Sequence, residues 1–310
     1  MGLITTFPIY LDRIEAGIQN PVTNYEVVKD TPTTLVADAH NGMGMVASYK
    51  CMTSLIEKAK NYGMAMGAIR NSTHYGIAGY WASMASSKGM IGICGTNARP
   101  SIAPTFGVEN MLGTNPLTFA IPTDEDFDFI LDCATSIYQR GKIEVYARID
   151  KDVPAGVVIG ANGESKTNAK EILEDLVKGE AALAPLGGIG EDLAGYKGYG
   201  YATVVEMLSS GLSAANFMKA LSGKDEQGNK KPIELGHFFI VINPEFFMGE
   251  ETLRKTTPGA TRIYTAGEKE YLAYMERKDK GVPLGISVQK EFLDIRDRYH
   301  LDYHFPFEDE

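Results

Sequence analysis

The sequence predicts a mixed α/β fold, of the α/β or α+β class, from three observations. Short apolar segments bounded by glycine, such as residues 89–96, are typical of buried strands. Longer segments with apolar residues at helical spacing, such as residues 43–60, lie between them and are typical of helices. The chain contains no internal repeat and no long flexible linker, so we expect its parts to interlock rather than to form separate units.

The same patterns assign an element to most of the chain. Apolar residues at intervals of three and four predict helices at residues 1–20, 43–60, 77–87, 136–149, 168–178 and 199–212. Short apolar segments predict strands at residues 33–39, 63–69, 89–96, 117–123, 127–135 and 237–243. Turn-forming residues predict loops at residues 70–76, 97–116 and 223–232, and the chain after residue 250 is expected to be mostly helical.

Composition narrows the class of protein. A hydrophobic content of 44% and a charged content of 23% are ordinary for a packed globular chain. The net charge of −10 gives no indication of a nucleic-acid partner, which usually requires a basic patch. The first residues lack the pattern of a signal peptide, and no stretch reaches the ~20 apolar residues of a membrane helix.

The three cysteines, Cys51, Cys94 and Cys133, are odd in number and widely spaced. This spacing does not indicate a disulfide framework or a zinc cluster. Free thiols in a reducing environment are the simpler interpretation, so we expect a cytoplasmic protein without a metal site.

The segment GMGMVA (residues 42–47) fits the dinucleotide-binding pattern G-x-G-x-x-A between a strand and a helix. The next strand, however, ends in Arg70 and Asn71, with no acidic residue to bind a ribose hydroxyl. Two residues also separate the preceding strand from the first glycine. The alternative, which we favour, is a tight turn whose glycines pack closely on a neighbouring element.

Two loops carry candidates for proton transfer and substrate binding. His74, in residues 71–76, lies between a predicted strand and helix and could act as a general acid or base near neutral pH. A helix-capping or core histidine is the alternative. Asn115, in residues 113–116, could hold a carboxylate or carboxamide, although a turn at a strand entrance is the better interpretation of this segment when it is taken alone.

Two further segments could bind a cofactor. Asp132 lies at the end of a predicted strand, where ligand sites are common, whereas Ser136 could simply cap a helix. Lys197 lies among the glycines of residues 195–200, just before a helix, and could meet a phosphate or carboxylate; a flexible surface loop is the alternative. Only the joint presence of these groups in this order indicates a common site.

Taken together, five segments resemble the type-2 malate/L-lactate dehydrogenase family, which also includes sulfolactate and ureidoglycolate dehydrogenases. The segments are NSTHYGIAGYWASMASSKGMIGICGTN, GTNPLTFAIPT, LDCATS, GYKGYG and HFFIVINPEFF. The resemblance covers about residues 1 to 275. It implies a fold unrelated to the Rossmann domain, a homodimer, and interconversion of a small 2-hydroxy acid, malate-like or lactate-like, with its 2-oxo acid, using NAD or NADP.

The resemblance also implies roles for individual residues. His74 matches a histidine that some members use as proton acceptor, and Asn115 is our own candidate for a substrate contact. The residues expected at the cofactor are Ala98, Asp132, Cys133, Ala134, Lys197, Gly267, Glu268 and Lys269. Alanine at 98 replaces a serine of some members, and Ala266 replaces the usual proline before the Gly-Glu turn, so that turn is expected to be less rigid.

One departure from the family pattern leaves two hypotheses open. Family members carry a Ser-His-Gly motif whose histidine is often assigned as the acid/base, and Met1-Gly2-Leu3 stands here in place of His-Gly-x. We therefore expect either an active dehydrogenase, in which His74, water or a residue outside this chain transfers the proton, or a homologue that binds cofactor but is catalytically impaired. We also expect residues 63–235 to form the NAD(P)-binding part, and residues 1–62 and 236–310 the dimerisation and substrate part.

Overall fold

The computed structural model describes residues 2–254 and 266–308, with the backbone alone for residues 2–7. The strands of this part are β1 (Glu26–Asp30), β2 (Thr34–Asp38), β3 (Met64–Ser72), β4 (Ile91–Thr96), β5 (Leu117–Ile121), β6 (Phe129–Cys133), β7 (Val158–Gly160), β8 (Ala181–Leu183) and β9 (Leu235–Ile242). The α-helices are α1 (Gly2–Glu15), α2 (Gly44–Tyr62), α3 (Ala78–Ser86), α4 (Arg140–Arg148), α5 (Ala169–Lys178), α6 (Gly195–Gly211), α7 (Glu250–Arg254), α8 (Glu268–Arg277) and α9 (Ile286–Arg298).

Seven strands form one mixed sheet in the order β1-β2-β3-β9-β4-β5-β6. Only the β2–β3 pair is parallel, and the other pairs in this sheet are antiparallel. β7 and β8 form a separate two-stranded sheet. Because β9 lies antiparallel in the middle of the large sheet, the predicted mixed α/β class is confirmed, and the sheet is not the parallel, doubly wound sheet of a Rossmann domain.

The main core lies between the large sheet and helices α2 and α3. Phe239 and Val241 of β9 belong to it, whereas the preceding residue, Phe238, points to the opposite face, and α6 also packs against β9. All three side chains are buried. Burial of both faces explains why β9 is a continuous apolar segment and why it was readily predicted as a strand.

A second core is built around β7, β8, α4 and α5, with buried residues such as Ile143, Ile172 and Leu183. Asn168 caps the start of α5, because its side chain accepts hydrogen bonds from the first turn, and Gly179 follows the end of the helix in the left-handed conformation. These two capping residues explain why the helix at 168–178 was predicted accurately.

The GMGMVA segment is a packed turn. The N–H of Gly44, at the start of α2, donates to Thr73 Oγ1 at 3.1 Å, and the N–H of Met43 donates to Thr23 Oγ1 at 2.9 Å. A Cβ atom at Gly44 would overlap the carbonyl oxygen of Thr73. The hydroxyls of Thr23 and Thr73 thus accept hydrogen bonds from the backbone amides that a bound pyrophosphate would need, which agrees with the interpretation as a tight turn.

One strand was missed and two helix boundaries were predicted wrongly. Strand β1 was missed because all five of its residues are exposed and show no alternation of apolar and polar residues. Helix α4 begins at residue 140 rather than 136, because Ser136 forms a β-bridge with Pro185 and the N–H of Ile137 donates to Ala184 O, which keeps both residues out of the helix. Helix α6 begins at residue 195 rather than 199, which places Lys197 in its first turn instead of in a loop.

The large sheet contains strands from both of the expected functional parts, the cofactor part and the substrate part. β3, from residues 63–235, lies between β2 and β9, which come from residues 1–62 and 236–310. The division into cofactor and substrate parts therefore stays a prediction about function. In the part of the chain that the structure describes, no helix is long and apolar enough to span a membrane.

We expect Gly44→Ala to lower the free energy of unfolding by about 1–3 kcal/mol, because the added methyl group overlaps backbone that cannot move freely. Gly200→Ala, in α6, is the matched control: nothing lies within 4 Å of its added Cβ, and alanine is the better helix former by about 1 kcal/mol. Urea unfolding of both variants measures the difference. Equal stability of Gly44→Ala and the unaltered chain would contradict the close packing.

Candidate active site

The carboxyl ends of four strands lie along one edge of the large sheet. β2, β3, β4 and β6 run in the same direction, since β3 and β4 both pair antiparallel with β9, and β6 is two antiparallel pairings from β4. The ends of these strands and the loops after them carry His74, Ala98 and residues 132–134. Such strand ends are the usual place for ligand sites in open sheets.

His237 of β9 joins the ends of β3 and β4. Its Nδ1 lies 2.7 Å from Thr96 Oγ1, and its Nε2 lies 2.7 Å from Ser72 Oγ. Its ring also stacks on Tyr75, with centroids 4.8 Å apart. Burial, and then the charge of His74, lower the pKa of this fully buried side chain to about 3. His237 is therefore neutral and fixes the two loops side by side.

His74 follows β3 and is held at one ring nitrogen. Its Nδ1 lies 2.5 Å from the Tyr10 hydroxyl, and the N–H of Gly76 donates to it at 3.3 Å. The Tyr10 hydroxyl can donate to a bare Nδ1 or accept from a protonated one, so both neutral tautomers have a partner at Nδ1, and the tautomer with its proton on Nδ1 leaves Nε2 as a bare base. Of the described residues, none forms a hydrogen bond with Nε2, which leaves that nitrogen available to a ligand.

The surroundings of His74 keep its ring neutral. His74 is exposed to solvent, although many protein atoms surround its ring. Desolvation, and then repulsion from the Arg13 guanidinium, lower the pKa of His74 below its ordinary value near 6.5. At pH 7 the ring is thus mainly uncharged and able to accept a proton.

Asp132, the penultimate residue of β6, ties that edge strand to the start of α3. Its Oδ2 accepts from the N–H of Gly79 at 2.8 Å, and its Oδ1 accepts from the Thr118 hydroxyl at 3.1 Å. A carboxylate at a helix N-terminus also interacts favourably with the helix dipole. Because His74 lies just before α3, Asp132 places the end of β6 next to the histidine loop.

A cavity of about 590 Å³ lies beside the end of β6. Ser136 is one of its lining residues, and its buried hydroxyl has no hydrogen-bond partner among the described residues. Burial, and then the charge of Asp132, raise the pKa of the Cys133 thiol, which keeps it protonated. Other lining residues come from β6, α4, α9 and a loop, namely Ala134, Lys142, Val145, Arg148, Leu186 and Val288.

The turn before α8 packs against β6. Gly267 has a φ of 95°, and a Cβ there would come 2.7 Å from the carbonyl oxygen of Asp128 and 3.1 Å from the nitrogen of Ile130. The turn with Glu268 and Lys269 therefore packs at the beginning of β6, whereas Asp132 and Cys133 lie at the other end of that strand. The glycine is required both by the left-handed backbone and by this close approach.

Lys197 is exposed in the first turn of α6. The next residue, Gly198, packs so closely on Leu186 that a Cβ would overlap its backbone, and Leu186 lines the cavity. Lys197 is thus near the cavity, although it is not one of its lining residues.

Asn115 lies inside the protein rather than in a cavity. Its side chain is fully buried, its Nδ2 donates to Ala202 O at 2.9 Å and to Glu206 Oε2 at 2.7 Å, and its Oδ1 accepts from the Ala98 N–H at 3.1 Å. These bonds give Asn115 a structural role. They offer no support for the direct substrate contact that we expected, but they do fix the backbone of Ala98.

Sequence reasoning missed several groups that shape the site. Tyr10, Arg13 and His237 carry no local motif, and the first two lie about sixty residues from the histidine that they influence. Glu206 is buried and forms no ion pair with any described residue, and burial raises its pKa against the opposing effect of hydrogen bonds from Met218, Asn115 and Asn97. Within the described ranges, no cluster of His, Cys, Asp or Glu could hold a metal ion.

Comparisons with known proteins agree on one relationship. A family model described as malate/L-lactate dehydrogenase matches residues 2–292. Malate dehydrogenase of Pyrococcus horikoshii is 39% identical over 306 residues, which cover 94% of this chain and 82% of the relative. L-sulfolactate dehydrogenase of Methanocaldococcus jannaschii is 37% identical over 254 residues, 81% of this chain and 68% of the relative.

Solved structures support the same relationship. The crystal structure of malate dehydrogenase from Entamoeba histolytica matches with a TM-score of 0.91 and 42% identity, covering 97% of this chain and 87% of that chain. The structure of malate dehydrogenase from Pyrococcus horikoshii matches with a TM-score of 0.81 and 35% identity, covering 95% of this chain and 82% of that chain. The resemblance inferred from the motifs is confirmed, and so is the fold that it implied.

We expect Asp132→Ala to lower the free energy of unfolding by about 1 kcal/mol, because the amide at the start of α3 loses its acceptor. Asp132→Asn keeps an oxygen acceptor and should lose less. Asp126→Ala, on the exposed turn between β5 and β6, is the control for removal of a carboxylate. Urea unfolding distinguishes the three, and no difference between Asp132→Ala and the control would contradict the proposed tie.

Proposed function

This chain belongs to the malate/L-lactate dehydrogenase family, and we propose that His74 is the group that exchanges the proton in its reaction. The protein is an oxidoreductase that interconverts a 2-hydroxy acid and its 2-oxo acid with a nicotinamide cofactor. The alternative of a catalytically impaired homologue is not favoured, because relatives named as dehydrogenases match across most of this chain.

The observation that carries the proposal is the arrangement at His74. Tyr10 holds Nδ1, whereas Nε2 has no hydrogen-bond partner among the described residues. A hydroxyl can donate or accept, so Tyr10 can donate to a bare Nδ1 and accept from a protonated one. Nδ1 can therefore keep a proton whenever Nε2 releases one to the oxygen on C2 of the acid.

The charge state of His74 gives the reaction a pH dependence. The groups that bear on the ring are Tyr10 and Arg13 from α1 and His237 from β9. Since the pKa of His74 is lowered, oxidation of a 2-hydroxy acid finds a neutral base at pH 7. Reduction of a 2-oxo acid needs the protonated ring, so its kcat/KM should rise as the pH falls toward the lowered pKa.

The cavity beside β6 fits a nicotinamide dinucleotide. Its volume of about 590 Å³ lies within the usual range for ligand pockets, and the unpaired Ser136 hydroxyl offers a buried polar contact. When bound, the nicotinamide supplies or accepts the hydride. We assign Asp132, Cys133 and Ala134 to its reactive end, with Ala98, Lys197 and the turn of residues 267–269 around it.

The choice between NAD and NADP is open to a direct test. Titration of the protein with NADH and with NADPH, followed by quenching of its single tryptophan, Trp81, gives both dissociation constants. A dissociation constant at least tenfold lower for one nucleotide identifies the physiological cofactor.

We further propose a homodimer that works in the cytoplasm on malate-like or lactate-like acids. Helix α6 exposes three apolar side chains, Tyr201, Val204 and Met207, at intervals of three residues along one face. Such a face is suited to cover by a second copy of the chain. The three cysteines are free, which suits a reducing compartment. Sedimentation measurements of the protein test the oligomeric state.

We expect His74→Gln to lower kcat by about 10²–10⁴-fold, because the proton then has no positioned donor or acceptor. The dissociation constant for reduced cofactor should change little. The control is His40→Gln, which removes a partly exposed histidine that pairs with Glu26 at 2.7 Å. Oxidation of NAD(P)H with pyruvate and oxaloacetate measures the effect, and a His74→Gln variant with full activity would reject the assignment.

We expect Tyr10→Phe to lower kcat about tenfold or more while KM changes less, because a lost hydrogen bond to a charged ring is worth about 1.5–3 kcal/mol. Loss of the acceptor for Nδ1–H also makes the protonated ring less stable, so the pKa seen in the kcat/KM profile for reduction should move further down. A purely structural Tyr10 would reduce the folded fraction and leave that pKa in place.

A further inference from the structure

Glu206, in the second half of α6, places a carboxylate inside the protein, where only 3% of the residue is exposed. In the described part of the chain its partners are hydrogen-bond donors and not cations. Oε1 accepts from the N–H of Met218 at 2.9 Å and from Nδ2 of Asn97 at 3.4 Å, and Oε2 accepts from Nδ2 of Asn115 at 2.7 Å. Burial of a carboxylate without a cation costs free energy, so this group points to a role in positioning rather than in stability.

The two shorter contacts of this carboxylate come from groups that can only donate. The group on Met218 is a backbone N–H. The amide of Asn115 is oriented by the backbone, because its Oδ1 accepts from the Ala98 N–H at 3.1 Å while its Nδ2 donates to Ala202 O at 2.9 Å. An ionised carboxylate, which accepts at both oxygens, is therefore the side-chain group that matches these donors.

Asn115 connects Glu206 to the wall of the cavity of about 590 Å³. The carbonyl oxygen of Asn115 accepts from the Thr135 hydroxyl at 3.2 Å. Thr135 lies between Ala134 and Ser136, and both of these residues line the cavity. The side chain and the carbonyl oxygen of a single residue thus join α6 to the cavity wall.

A second contact fixes the beginning of α6 on the same wall. The N–H of Gly198 donates to Leu186 O at 3.2 Å, and the N–H of Leu186 donates to Thr135 O at 2.9 Å. Leu186 lines the cavity, and Lys197 immediately precedes Gly198. Glu206 follows about two turns further along the helix, so two separate contacts set the direction of α6 relative to the cavity.

We propose that Glu206 is a positioning residue for the nicotinamide cofactor. Its carboxylate holds Asn115, and with it the loop of Ala98 and the cavity wall, in the arrangement that binds the dinucleotide. Glu206 does not line the cavity, so it acts through Asn115 and not by contact with the ligand. This inference rests on the proposed function, which assigns the cofactor to that cavity.

Glu206→Gln is the principal test, because it keeps the size of the side chain and replaces one accepting oxygen with an NH2 group. Either orientation of the new amide sets a donor against a donor, at Asn115 or at Met218. We expect the dissociation constant for reduced cofactor, measured by quenching of Trp81, to rise about tenfold or more, because binding must restore an arrangement that has lost one hydrogen bond to a charged group. The pKa in the kcat/KM profile should stay in place, because burial and a cation of α1 lower the pKa of His74.

A reciprocal exchange of the two side-chain groups gives a rescue test. Asn115→Asp alone sets two carboxylates against each other and should weaken cofactor binding more than Glu206→Gln does. When both substitutions are present, the amide at position 206 donates to the carboxylate at position 115, which still accepts from the Ala98 N–H. The double variant should bind reduced cofactor at least about threefold more tightly than either single variant. A double variant that binds no better than Asn115→Asp would overturn the proposal, and this comparison also decides the matter if Glu206→Gln does not fold.

Hydrogen exchange separates positioning from a general loss of stability. In Glu206→Gln, exchange should become faster in residues 97–99 and stay unchanged in α2. Faster exchange in both segments, with an unaltered dissociation constant for the cofactor, would show a purely structural role and reject the proposal. Glu174→Gln is the matched control, since it removes an exposed carboxylate of α5 that does not line the cavity, and it should change neither measurement.

The binding measurements also distinguish this inference from the proposed function, because they do not require turnover. If Glu206→Gln weakens cofactor binding as expected but no 2-oxo acid is reduced by the unaltered chain, the positioning role stands and the catalytic proposal fails. If turnover depends on His74 as proposed, and Glu206→Gln binds cofactor as tightly as the unaltered chain, only the positioning role fails.

Discussion

The two hydrogen bonds of His237 are the constraint on which the site depends. β9 lies between β3 and β4, and its histidine bonds to the residue at the end of each neighbour, Ser72 and Thr96. Burial lowers the pKa of this histidine and keeps it neutral, so one ring nitrogen donates to one hydroxyl and the other nitrogen accepts from the second. Through this contact the loop of His74 and the loop of Ala98 and Arg99 are held at one edge of the sheet.

Around this centre, three other elements complete the arrangement. Asp132 binds the end of β6 to the start of α3, and Tyr10 of α1 reaches Nδ1 of His74. The C-terminal helix α9 connects α1 with the cavity of about 590 Å³. Arg298 and the next residue, Tyr299, bind Asp12 and Glu15 of α1, while Val288 lines the cavity. Individual surface ion pairs contribute little, but several acting on one helix restrict its position. The helix that carries Tyr10 and Arg13 is therefore anchored from a distant part of the chain.

Much of the fold could be predicted from local patterns, whereas the assembly of the site could not. Helices such as α2 and α5 follow apolar periodicity and capping residues, and β9 shows itself by its apolar run. Strand β1 gave no such signal, since both of its faces are exposed.

The candidates at strand ends, His74 and Asp132, were recognisable as ligand-site positions. The insertion of β9 between β3 and β4 is a matter of topology that periodicity does not contain. The approach of Tyr10 and Arg13 to His74 is a tertiary contact, which no local pattern reveals. For Asn115 the loop composition suggested a binding residue, but the side chain is buried and forms hydrogen bonds inside the protein.

A crystal structure with reduced cofactor and oxamate, a 2-oxo acid analogue that is not reduced, tests the central claim most directly. We expect the nicotinamide to lie beside Cys133 and Ala134. Nε2 of His74 should then lie within about 2.6–3.2 Å of the oxamate oxygen that corresponds to the carbonyl oxygen of the substrate. Electron density for oxamate at another edge of the sheet, or a nicotinamide ring out of reach of the His74 loop, would contradict it.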